Sequence, residues 1–213
     1  VSHSVDDAAQ RARYWPVPVL RALPAAVIAM VITFSPNHSA GFGLVLFGVF
    51  AVVDGAVLAW GSGSRLPGDD RSRRSGLAQA ALSIVAGVAA LACTGLGLPA
   101  FITIVVAFAV LTGALELSQG VRARRRSPFA RDWMTIGGLT LLLAIAFLLT
   151  PPDYSQQLGG VERVTGTLDA SIVLVGLLGA YLAIAAVFHL IAGLSHKWGT
   201  AAPAAAPDGA PHA

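Results

Sequence analysis

The chain has 213 residues, of which 55% are hydrophobic and only 12% charged, with a mean hydropathy of +0.72. A soluble domain carries roughly a quarter charged residues, so this composition excludes one or two ordinary soluble domains. The net charge of +3 is small, and its information lies in where the charges sit.

The chain opens with VSHSVDDAAQRARYW, which is polar and amphipathic, with no long apolar segment and no cleavable signal-peptide pattern before the first span. Residues 1–15 are therefore expected to be a loosely attached cytoplasmic segment. Six apolar windows follow, Pro18–Phe34, Gly41–Trp60, Gly76–Thr94, Pro99–Val121, Trp133–Thr150 and Ser171–Leu194. About 20 residues at 1.5 Å each cover the roughly 30 Å of a bilayer core. A backbone in lipid must satisfy its own hydrogen bonds, so each window predicts a helix, and the alternation of a barrel strand is absent. The first window is short, so its helix is expected to begin before Pro18 or to tilt little. The end, AAPAAAPDGAPHA, is low-complexity and predicts a disordered cytoplasmic tail over 199–213.

The basic residues orient these spans. Of the 14 Lys and Arg residues, only Arg163 falls on the outer side of a six-span arrangement. Arg11, Arg13 and Arg21 lie before or at the start of span one. Arg65, Arg71, Arg73 and Arg74 lie between spans two and three, and Arg122, Arg124, Arg125, Arg126 and Arg131 between spans four and five. Lys197 follows span six. Positive-inside bias puts both termini and the two basic loops in the cytoplasm. The run RARRR, Arg122–Arg126, predicts contact with anionic lipid headgroups through Arg122, Arg124, Arg125 and Arg126. Topology already explains these charges, and no aromatic-interleaved basic face or phosphate loop points to nucleic acid.

The outer links around Asn37–His38 and Gly95–Pro99 are short, and the third, Pro151 to about Ala170, is longer. Short links make spans one and two, and three and four, antiparallel neighbours. Span two reads FAVVDGAVLAW from Phe50 and span four FAVLTGALELS from Phe108. This register pairs Gly55 with Gly113. YLAIAAVFHLI from Tyr181 in span six continues it, with Ala186 at the glycine position and His189 at the Glu116 position. The pattern predicts an all-α, six-helix transmembrane bundle built from three helical hairpin repeats, about 18–60, 76–121 and 133–194, within a membrane domain over 16–198. A parallel threefold repeat differs from the inverted repeats of many midplane transporters.

Three ionisable residues lie inside spans: Asp54, Glu116 and His189. Such groups must face other helices, a cavity or the headgroup border. Glu116 lies about two turns from Arg122 and Arg124, so a snorkelling arginine is one expected partner. Thr112 and Gln119 share its helical face. Asp54 has no arginine within two turns. Structural polar packing is favoured over a proton- or ligand-responsive role at all three. Gly48, Gly55, Ala56, Gly87, Gly113, Ala114, Gly137, Gly138, Gly176 and Gly179 are expected as thin places for helix packing. Trp60, Trp133 and Trp198 are expected as interfacial anchors. The lone Cys93 forms no internal disulfide, and the sequence contains no ligand-spaced metal cluster. No cofactor is expected, and no nucleophile context points to an enzyme.

The repeated FAV(V/L)xGA(V/L) pattern, Glu116 and the closing RARRR, carried by LFGVFAVVDGAVLAW and FAVLTGALELSQGVRARRR over about Pro16 to Trp198, resemble the HdeD-like, DUF308-repeat membrane family. The resemblance implies a small multipass bacterial inner-membrane protein, in a family some of whose members are associated with acid resistance or stress. It implies that Gly55 and Gly113 are recurring repeat glycines and Glu116 the acid before a basic helix end. Leu58 and His189 depart from that acid. The expected function is that of a noncatalytic membrane stress or interaction protein. It would contact anionic lipids, and a membrane-protein partner or a homo-oligomer stays open. The alternatives are a proton-responsive channel or transporter and an accessory subunit of a larger membrane complex.

Overall fold

The computed structural model describes residues 2–65, 70–158 and 166–199. Arg163 and the tail beyond residue 199 lie outside them. Seven α-helices occur among the described residues. They are α1 (Ser2–Tyr14), α2 (Pro16–Phe34), α3 (Ala40–Trp60), α4 (Asp70–Ala92), α5 (Gly97–Ala123), α6 (Ala130–Leu149) and α7 (Ala170–Trp198). The last six carry the six apolar windows, and each is long and apolar enough to cross a bilayer. The protein is an all-α, multipass membrane bundle. Its outward faces bear apolar side chains such as Leu23, Val27, Val85, Leu142 and Leu148. Such a continuous apolar exterior suits lipid rather than water.

The start of the chain is not loosely attached. Residues 2–14 form α1, which runs through Trp15 almost directly into α2. Pro16 opens α2, where its missing N–H would have had no intrahelical partner anyway. Tyr14 is buried beside Phe129, with ring centroids 4.5 Å apart, and Arg13 donates to the Ser64 carbonyl at 2.8 Å. At the opposite end, the long link between spans five and six contains an antiparallel strand pair, β1 (Ser155–Leu158) and β2 (Gly166–Asp169). Asp169 then caps α7 by accepting from the Ile172 N–H at 3.0 Å, as Ser39 caps α3 through Phe42.

Each span touches the next, and α7 returns to α2, so the six close in a ring. The short links do make neighbours, but the most extensive contacts lie elsewhere. They join α3 to α4, α5 to α6 and α7 to α2. Glycines explain the difference. A Cβ on Gly55 would lie 2.9 Å from the Ala80 carbonyl oxygen, and one on Gly113 3.0 Å from that of Gly137. Gly48 meets Gly87 in the same way. On α7, Gly179 lies against Ile32 and Gly193 against Val19 and the Trp15 carbonyl. In the repeat register, Gly55, Gly113 and Ala186 are equivalent, as are Ser62, Gly120 and Gly193. The close-packed unit therefore pairs each second span with the one after it, and span six with span one. Gly176 and Gly138 are exceptions among the expected thin places, because nothing lies within 4 Å of a Cβ there.

Candidate functional site

The centre of the ring is apolar along most of its length, with Phe47, Phe101, Phe147, Leu174 and Leu178 fully buried. Towards the basic end it becomes polar. Arg21 on α2, Asp54 on α3, Gln79 on α4 and Glu116 on α5 converge there, all buried. The Arg21 guanidinium makes a two-pronged contact with Asp54, Nε to Oδ1 at 2.9 Å and Nη2 to Oδ2 at 3.2 Å. Its third nitrogen, Nη1, donates to Glu116 Oε1 at 3.1 Å, and the Gln79 amide donates to Glu116 Oε2 at 2.8 Å. One planar fork thus holds carboxylates from two other helices, a task suited to arginine rather than lysine.

The remaining two spans meet at the same level of the core. The hydroxyls of Thr140 on α6 and Tyr181 on α7 lie 2.9 Å apart. His189 on α7 is buried and lines two small cavities of about 10 and 20 Å³ that flank Arg21 and Glu116. Each is on the scale of a single water. The two acids thus come together through Arg21, and His189 borders them. Thr112, Glu116 and Gln119 share the buried face of α5.

Two expectations are corrected here. Glu116 is not paired with Arg122 or Arg124 near the end of its own helix. Its partner is Arg21, 95 residues away in the chain. Arg21, in turn, is more than a topology signal at the start of a span, since it is only 8% exposed. The sequence carried one signal for it. Arg21 is the basic residue inside the first apolar helix, and buried intramembrane acids need a cation at matching depth.

A second polar group lies nearer the basic end. His196 Nε2 on α7 and Asp132 Oδ2 on α6 are 2.6 Å apart. The His196 ring stands edge-on to Phe129, and its Nδ1 is buried without a hydrogen-bond partner. Trp133 belongs to this aromatic group with Tyr14 and Phe129 and is 7% exposed, so it is a packing residue rather than a lipid-facing anchor. Trp60 and Trp198 are exposed as anchors would be. Arg122, Arg124, Arg125 and Arg126 are exposed at the end of α5. No cluster of three or more His, Cys, Asp or Glu side chains suited to a metal occurs among the described residues.

A family model described as a short repeat of unknown function, DUF308, matches residues 78–150. This segment covers most of α4 and all of α5 and α6, and so includes the α5–α6 glycine seam and Glu116. The resemblance to DUF308-repeat membrane proteins holds over that segment. Neither a curated protein nor a solved structure matches the chain.

Proposed function

We propose that this DUF308-repeat chain is a noncatalytic multipass protein of a bacterial inner membrane, with both termini cytoplasmic, that acts through lipid or protein contacts. The observation that supports this best is the self-contained polar centre. The hydrogen-bonding atoms of Arg21, Asp54 and Glu116 are directed at one another. The cavities beside them have room for about one water each. Such a centre is suited to fastening helices together, and cavities of this size leave little room for a solute. An association with acid or envelope stress is supported by the family resemblance alone. The cytoplasmic placement of the termini is supported by the arginine distribution.

The test begins with native purification in mild detergent and measurement of the intact particle's mass. Particles of this chain alone, or with a stoichiometric membrane partner, agree with the reading, and the second outcome makes it an accessory subunit. Solute flux in liposomes containing only the purified chain would overturn it.

One observation favours a proton-responsive role as a second reading. Two carboxylates face one guanidinium, so the fully ionised cluster carries one excess negative charge in a low-dielectric core. A single proton on either acid would make it neutral, and His189 borders the same cavity. Proton flux or a pH-dependent change of conformation, lost in both Asp54→Asn and Glu116→Gln, would support this reading. Unchanged behaviour in both variants would remove it.

A further inference from the structure

A cavity of about 290 Å³ opens between α1, α4 and the end of α5, on the basic side of the bundle. Its wall carries Arg71 from the start of α4 and Arg122 and Arg126 from the end of α5 and the turn beyond it. Ser75, Gln119 and Ser127 add neutral hydrogen-bonding groups. Among the described residues the lining contains no carboxylate. None of the three arginines forms an ion pair with a described acid. Arg73, Arg74, Arg124 and Arg125, which are also exposed, do not line it.

We propose that this cavity binds a phosphate-bearing anion, either the headgroup of an anionic phospholipid or a small soluble phosphate ester. Guanidinium groups bind phosphate oxygens through paired, charge-assisted hydrogen bonds. A cavity near the lower end of small-molecule sites, about 300 Å³, accommodates a phosphate with a glycerol-sized group. Basic pockets between transmembrane helices suit lipid headgroups by the same chemistry. The proposal deepens the reading of the basic end as a contact face and rests on it. It replaces a diffuse arginine surface with a defined site in which three of the exposed arginines matter and their neighbours do not.

The test uses the full chain in nanodiscs of zwitterionic phosphatidylcholine. One arm titrates inorganic phosphate and glycerol 3-phosphate by calorimetry. The other adds phosphatidylglycerol and counts retained lipid by native mass spectrometry. Arg71→Gln/Arg122→Gln/Arg126→Gln is expected to lose about tenfold or more in affinity or retention, because charge-assisted hydrogen bonds are removed. Arg73→Gln/Arg124→Gln/Arg125→Gln, with the same charge change, is expected to remain near wild type. Ser75→Leu keeps every charge, fills the cavity and is expected to lose binding too. Binding in the first arm identifies a soluble anion, and retention in the second alone identifies a headgroup. Equal losses in the two arginine variants, or no binding in either arm, would overturn the proposal. Solute flux is measured separately, so failure of the site leaves the noncatalytic reading intact, and flux would sink that reading without touching the site.

Discussion

Arg21 on α2 is bonded to Asp54 on α3 and to Glu116 on α5, so one side chain links three helices. Removing one partner of a buried ion pair strands the other charges in a medium that solvates them poorly. Arg21→Gln is therefore expected to destabilise the bundle by about 3–5 kcal/mol, seen as a lowered thermal transition in detergent. Glu116→Gln leaves the two-pronged Arg21–Asp54 pair and an acceptor oxygen in place. It is expected to cost only about 1–2 kcal/mol. Equal stability of the Arg21→Gln variant and the wild type would mean that the cluster does not hold the helices. A larger loss from Glu116→Gln than from Arg21→Gln would reverse the assigned roles.

At the scale of the element, the glycine seams decide which helices pack most closely. Gly137 and Gly138 are adjacent on α6 and make a direct comparison. A Cβ on Gly137 would lie 2.5 Å from the Leu117 backbone nitrogen, whereas one on Gly138 meets nothing within 4 Å. Gly137→Ala must push α5 and α6 apart and is expected to cost about 1–3 kcal/mol. Gly138→Ala is expected to be neutral or mildly stabilising, by up to about 1 kcal/mol, through helix propensity. Thermal unfolding of the two variants reads the contrast, and equal effects would mean that the α5–α6 seam is not close-packed. The same reasoning separates Gly113→Leu, expected to disturb assembly, from Gly176→Leu, expected to leave the packing within the chain unchanged.

For the whole molecule, the testable property is the alternation of sides. The segment joining α5 to α6 and the one joining α6 to α7 are separated by a single span. In a Cys93→Ala background, a cysteine at Ser127 and one at Asp153 are expected to react with an impermeant thiol reagent from opposite faces of the membrane. Reaction of both from one face would break the six-span arrangement. The ring also gives the α1–α2 junction a structural role. Lys197 sits over the Trp15 ring at 4.9 Å, and Gly193 packs against the Trp15 carbonyl. The two ends of the membrane domain are thereby tied to each other.

The sequence by itself determined the number, length and helical nature of the spans, because bilayer thickness and backbone hydrogen bonding act on each segment locally. It also made legible the common register of Phe50, Phe108 and Tyr181, the isolated acids Asp54 and Glu116, and the shared face of Thr112, Glu116 and Gln119. Tertiary structure decided the partners. Arg21 sits at the start of a span, where a one-dimensional reading makes it a topology signal, yet it bonds to residues 33 and 95 positions away. Hairpin order suggested span one with two, three with four and five with six, but the glycine seams join two with three, four with five and six with one. Trp133 turned inward and Gly176 outward for the same reason. Hydropathy says that a helix must be covered by lipid or protein, while the choice of covering face depends on close contacts between segments far apart in the chain.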